Sequence, residues 1–387
     1  MRGNGISRAR FLGGAAAVGV AGVTGSFATG SFAAGSFAAG RADAARKPAA
    51  AGRGGGVRHR GVMYEVITGE SPATSWRADR MRADLRAVRN DLRANTVSVF
   101  GDGVDRLGAT ASEAAERGLN VWLQPRLADR PHREILDHLA ATGEHAERLR
   151  RQGADVHLSV GCEFFLFVPG IVPGDNALER VRNLLAGTVD LELTQRRLTS
   201  FISRAAKVGR SVFHGPLTYG AAHEDQVDWD LFDIVSVNYY SYFRRRSEYV
   251  AELAPYLRLG KPVAITECGT CTYVGAPEAG GMGWDVVDYE TGEITADLVR
   301  SERVQAAYLS DVLDVFESMN LYASLVYNFV APDSQHRPGD PRRDLDMVGY
   351  SLTKTLKDDP DDPDSDWHWE PKESFHAVAR HYGRGRG

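Results

Sequence analysis

Cysteine is scarce in this chain: three in 387 residues, at positions 162, 268 and 271. So few, and an odd number, excludes a disulfide-framed scaffold and leaves at least one thiol unpaired in an oxidising compartment. Cys268-Gly269-Thr270-Cys271 does not follow the first strand of a small domain, as a thioredoxin-like redox motif would. Structural packing of Cys162, with or without a Cys268–Cys271 bridge, is the reading. Metal-ligand spacing is also lacking. There is no His-x-His, His214 and the three cysteines have no zinc spacing, and the acidic run 358–366 lacks the glycine and closing glutamate of an EF-hand loop. No metal or cofactor is expected.

Other absences narrow the class further. No Gly-rich phosphate turn follows the first strand-like run, which argues against a doubly wound nucleotide-binding sheet. The net charge is −5 and no basic stripe emerges, so no nucleic-acid partner is expected. Arg244-Arg245-Arg246 reads as a solvated helix start. Long apolar runs are missing too. The apolar segment 13–23 is too short and Gly-rich for stable membrane insertion. It follows Arg8-Ala9-Arg10 in the layout of a secretion signal, resembling a twin-arginine signal with Ala9 where the second arginine stands; the general secretory route is also open. A Gly-Ser-Phe-Ala repeat follows over 25–39, and Ala42-Asp43-Ala44 fits a cleavage site. Residues 1–44 are therefore expected to be signal peptide and low-complexity sequence, and 45–56 a flexible linker. The product would be a secreted, soluble protein of unknown oligomeric state.

What the chain has is alternation. Short apolar or β-branched runs at 61–65, 95–100, 120–124, 156–160, 211–214, 234–238, 262–266 and 322–326 are separated by stretches with helical spacing. Strand–helix alternation implies a parallel sheet with right-handed crossovers. Eight such repeats in roughly 330 residues predict one α/β domain, a (β/α)8 TIM barrel over 57–387.

Two glutamates close the fourth and seventh runs: Glu163 after Val160-Gly161-Cys162, and Glu267 after Ala264-Ile265-Thr266. Polar residues at the carboxyl ends of barrel strands point into the catalytic mouth. Two carboxylates there suit glycoside hydrolysis, one as acid and one as nucleophile. The mouth is also the expected place for Tyr64 and Glu65 on the first strand, Trp122, Gln124 and Arg126 on the third, and His214 on the fifth. Trp284, in the insertion after the seventh strand, is placed to stack on a sugar. Each has a structural reading beside the functional one: Glu65 pairing with Arg126, for instance, or Trp284 pinning its own loop.

These motifs resemble clan A glycoside hydrolases, retaining enzymes on TIM barrels in which the acid/base ends the fourth strand and the nucleophile the seventh. The segment 233–240, ending in Asn238-Tyr239-Tyr240, looks like the Asn-Tyr-Tyr stretch of family 1 β-glucosidases, whose second tyrosine hydrogen-bonds the nucleophile. Trp369-Glu370-Pro371 resembles the lead into their last barrel helix. The chain also resembles uncharacterised bacterial proteins labelled abortive-infection proteins. The clan resemblance implies a glycosidase acting on oligo- or polysaccharide through a covalent intermediate, and the amino-terminal signal layout would make it an exported one. It implies Glu163 as acid/base, Glu267 as nucleophile, Tyr240 as its partner, and Asn238, Tyr327 and Asn328 among the sugar-binding residues.

Three positions depart from the clan pattern. Cys162 stands where an asparagine usually binds the sugar 2-hydroxyl. Tyr327-Asn328-Phe329 replaces a tryptophan, and Phe100-Gly101-Asp102 lacks an arginine. They raise the alternative of an inactive or repurposed carbohydrate-binding barrel. If the chain is active, Phe164 and Phe165 would form the apolar wall that keeps Glu163 protonated.

Overall fold

The computed structural model describes residues 56–384 apart from Glu224. The expected signal, repeat and nearly all of the linker lie outside the described residues. Eight parallel strands form one sheet: His59–Val66, Thr96–Gly101, Asn120–Pro125, Val156–Cys162, Leu217–Gly220, Val235–Tyr239, Val263–Cys268 and Ala323–Val326. In chain order of these strands the sheet runs 5-4-3-2-1-8-7-6. A parallel bridge between Ala221 and Val237 links its two outermost strands. The sheet therefore curls into a (β/α)8 barrel.

The strands are buried almost throughout because both faces are covered, one by the barrel interior and one by helices. Helix Ala78–Asn90 buries Met81, Leu85 and Val88 along one stripe, and Glu302–Ser318 buries Tyr308, Val312 and Phe316. One crossover breaks the alternation. Between the fifth and sixth strands the described chain forms only a 3-10 turn, Trp229–Leu231.

The fifth strand is Leu217–Gly220, which corrects the expectation of 211–214. Ser211 and Val212 finish the long helix Leu191–Val212. Their apparent strand character arises because Val212 and Phe213 are β-branched and aromatic. Phe201, Ala205 and Gly209, buried four residues apart, carry the helical stripe to that end.

Side-chain parity and height decide what reaches the mouth. Tyr64 and Glu65 are neighbours on one strand, so they face opposite sides of the sheet. Tyr64 points outward, its hydroxyl donating to Asp84 at 2.9 Å. Trp122 belongs to the amino-terminal floor of the barrel. It stacks on His157 at 4.6 Å and packs beside His59 and Tyr322. His214, displaced with the misplaced strand, lies in the loop entering the fifth strand with its side chain 59% exposed, near Glu147. These three leave the mouth.

Candidate active site

Two irregularities aim the glutamates. The fourth strand shifts register against the fifth between Ser159 and Cys162, and the seventh against the sixth beside Asn238 and Glu267. Such bulges turn a strand end and redirect its side chains. Gly161 has φ 153°, and a Cβ there would sit 2.2 Å from the Phe164 ring. Glycine alone permits that approach. Glu163 follows with φ 38° and ψ 54°, a left-handed conformation uncommon for a non-glycine residue. Its backbone N–H donates to Gly220 O at 2.9 Å. The next N–H, of Phe164, donates to the Tyr219 hydroxyl at 2.9 Å.

The two carboxyls meet. An oxygen of Glu163, an oxygen of Glu267 and the Cys162 sulfur all lie within 4.8 Å of one another. Glu163 is 1% exposed and Glu267 0%. Their surroundings differ. Arg126 Nη2 donates to Glu267 Oε1 at 2.6 Å and to Gln124 Oε1 at 2.7 Å. The Tyr240 hydroxyl donates to Glu267 Oε2 at 3.0 Å. Glu163 accepts from Asn238 Nδ2 at 2.9 Å through Oε1, while among the described residues no donor reaches its Oε2. Thr266 fixes the Asn238 amide by donating to its Oδ1 at 2.9 Å.

These differences set the protonation states. Burial pushes both carboxyls up. For Glu267 the Arg126 charge and three hydrogen bonds, from Arg126, Tyr240 and Cys162, pull the other way. Glu163 is raised well above the usual carboxylate range, because Glu267's charge adds to burial and no cation touches it. Both carboxyls are therefore raised, Glu163 further than Glu267, so a proton held by the pair favours Glu163. Glu65 stands nearby, pushed up to about 8 by burial against the opposing pull of Arg126.

Of the residues singled out from sequence, Glu163, Glu267, Tyr240, Asn238, Gln124 and Arg126 form one connected network. Tyr327 borders it, 5.7 Å from Phe100, whose ring lies under the Arg126 guanidinium. Glu65 and Arg126 also line a cleft of about 340 Å³ with Gly101, Asp102, Phe167 and Asp333. Asn328 is turned into its own loop, donating to Val330 O at 3.3 Å. Trp284 is fully buried beside Tyr289 and offers no exposed face. It pins its insertion.

The cysteines are all free and buried. Cys268 and Cys271 donate to different carbonyls, Leu325 O and Val348 O, so the bridge considered between them is absent. Sequence reading missed Tyr219, which was hidden by the misplaced fifth strand. It also missed Tyr350, which packs edge-on to Tyr240 at 5.5 Å. Tyr350 comes from a long segment after the eighth strand that carries no local signal.

No family model matches the chain, and no curated protein matches it. Solved structures do, at the level of fold. A GH113 β-1,4-mannanase superposes with a TM-score of 0.54 at 14% identity, over 85% of this chain and 99% of its own. A GH2 β-galacturonidase from Eisenbergiella tayi gives 0.52 at 16%, over 86% of this chain and 52% of its own. For a Bacteroides uniformis β-glucuronidase the values are 0.54 and 14%, over 84% and 35%. The chain spans about half of the galacturonidase and about a third of the glucuronidase. The likeness is one of fold, the (β/α)8 barrel. None of these three bears the abortive-infection label.

Proposed function

We propose that this protein is a retaining glycoside hydrolase, with Glu267 as nucleophile and Glu163 as acid/base. The observation that carries the proposal is the pair itself: carboxyl oxygens within 4.8 Å, on opposed strand ends, in unequal environments. Retaining enzymes hold their carboxyls about 5–5.5 Å apart and inverting ones roughly 6.5–9.5 Å apart, to admit a water. The short gap supports direct attack by a carboxylate on the anomeric carbon. Ion-paired Glu267 has the charge for that attack. Protonated Glu163 can give its proton to the leaving oxygen and, once ionised, activate the water that releases the sugar.

Arg126 supports the reading from an unexpected strand. The second strand carries no arginine, and the third delivers one to Glu267 instead. Asn238, on the sixth strand, likewise puts an amide beside Glu163 where the fourth has Cys162. The mouth keeps a guanidinium and an amide while their chain positions differ. A binding-only barrel is the competing reading, favoured by Cys162 and Tyr327. A panel of aryl glycosides and bacterial or plant polysaccharides separates the two. Turnover of at least one is expected; polysaccharide retention without any sugar release would favour binding alone.

Export belongs to the same proposal. The amino-terminal signal layout places the mature start near Ala45, which sequencing of secreted protein would show. Recovery from the cytoplasm with an intact amino terminus would contradict it.

A further inference from the structure

Cys162 supplies neither the proton nor the nucleophile of the hydrolysis proposed above, yet it lies against the pair. Its sulfur is 3.5 Å from Glu267 Oε1 and 3.1 Å from Asn238 Nδ2. We propose that Cys162, Glu163 and Glu267 form a site for a thiophilic divalent cation of the zinc class, whose binding silences the carboxylate pair. The silencing rests on the glycosidase reading; the cation site does not.

Ligand geometry is the first argument. Zinc bonds to sulfur are near 2.3 Å and to carboxylate oxygen near 2.0–2.2 Å, which at a tetrahedral angle sets sulfur and oxygen about 3.6 Å apart. The observed separation is 3.5 Å. The Glu163 oxygen completes a triangle no wider than 4.8 Å, so a small side-chain adjustment closes three bonds on one ion. Ligand type is the second. One thiolate with two carboxylates suits zinc, whereas magnesium and calcium favour all-oxygen sites.

Charge is the third argument. A coordinating thiol is deprotonated outright, so the ligands bring three negative charges. Arg126 beside Glu267 supplies one positive charge. The remainder matches a divalent ion.

The fourth argument is a buried polar atom without a partner. Among the described residues nothing donates to Glu163 Oε2, although the residue is 1% exposed. A buried polar oxygen without a partner is costly whether or not it carries the proton, and a cation taking the place of that proton would satisfy it. The outer shell is in place as well. Asn238 Nδ2 contacts both the sulfur and Glu163 Oε1, and Thr266 orients the amide. The cluster of His336, Asp344 and Asp346 makes a useful contrast. Arg300 and Lys372 already neutralise Asp346, at 2.7 and 2.8 Å. Its charges are spent on the fold.

Three protein ligands leave a fourth position for water. With the ion bound, Glu267 cannot attack carbon and Glu163 cannot deliver a proton.

The test uses the full chain, stripped with EDTA, dialysed, and titrated with zinc chloride against a chromophoric chelator. One zinc per chain is expected. Cys162→Ala and Glu163→Gln should each weaken it by at least about tenfold, and His336→Ala should not. Melting of each variant without zinc checks that it folds. Cobalt(II) loading supplies a readout that a structural role would not give: a thiolate-to-metal charge-transfer band, lost in Cys162→Ala. Absence of stoichiometric binding, or binding that survives Cys162→Ala and is lost in His336→Ala, overturns the site. On any substrate that is cleaved, zinc should inhibit and EDTA should restore the rate. Full turnover with the site loaded overturns the silencing. Zinc binding with no turnover of any glycoside would sink the hydrolase proposal and leave the cation site standing.

Discussion

Replacing Glu267 by alanine is expected to abolish turnover of every substrate the protein cleaves when no nucleophile is added. Without that carboxylate no covalent intermediate forms, so azide can act only by attacking the anomeric carbon itself, in one step, to give a glycosyl azide of inverted configuration. Glu163→Ala should behave differently. An aryl glycoside with a good leaving group needs little protonation, so its first step survives while polysaccharide cleavage is lost. The intermediate on Glu267 then waits for a base that is no longer there. Azide attacks without general-base help, so it should recover much of the missing rate, on the order of the 10²–10⁴ that such catalysis contributes. The product should be a glycosyl azide with the substrate's own anomeric configuration. An azide product of retained configuration from Glu267→Ala with one of inverted configuration from Glu163→Ala would reverse the assignment. Wild-type rates in both would make the glutamates structural.

Arg126→Met should lose stability in a pH-dependent way. The guanidinium is buried, ion-paired to Glu267 at 2.6 Å and stacked over Phe100. Methionine keeps much of the packing and removes the charge. Leaving a partner buried and unpaired typically costs about 3–5 kcal/mol, which Glu267 can limit by taking a proton. Its folded pKa, which burial already raises above the unfolded value near 4.3, then rises further. Between the two values the native state binds more protons, so stability falls as pH rises through that window. The deficit against wild type should therefore be small near pH 4 and approach that cost at pH 8. Activity should follow, with the acidic limb of kcat/KM displaced to higher pH because the nucleophile ionises later. Urea denaturation at the two pH values decides the matter. An equal deficit at both would mean that Arg126 acts through packing alone.

Glu163 and Glu267 were legible because each ends a run of buried residues whose position in the strand order can be counted. That count tolerated an error. Misplacing the fifth strand onto the end of the helix Leu191–Val212 left the ordinals of the fourth and seventh unchanged, though it cost Tyr219 and put His214 in the mouth. Residue height was harder to read. Trp122, Gln124 and Arg126 share one face of the third strand, but the first lies on the floor and the last two at the mouth. Tyr64 was avoidable, since alternation forbids it to share a face with Glu65. The pairing of Arg126 with Glu267 had no sequence signal, because it joins residues 141 positions apart. It depends on the fold bringing the third and seventh strand ends together.

The most direct test of the central claim is to trap the intermediate. Once a cleaved aryl glycoside identifies the sugar, its 2-deoxy-2-fluoro analogue with an activated leaving group should slow both steps and the second more, so that glycosyl-enzyme accumulates. Peptide mass spectrometry is expected to find one sugar attached, on the peptide carrying Glu267 and at that carboxylate. A label on Glu163, or turnover of the parent glycoside to product of inverted configuration with no label formed, would contradict the account.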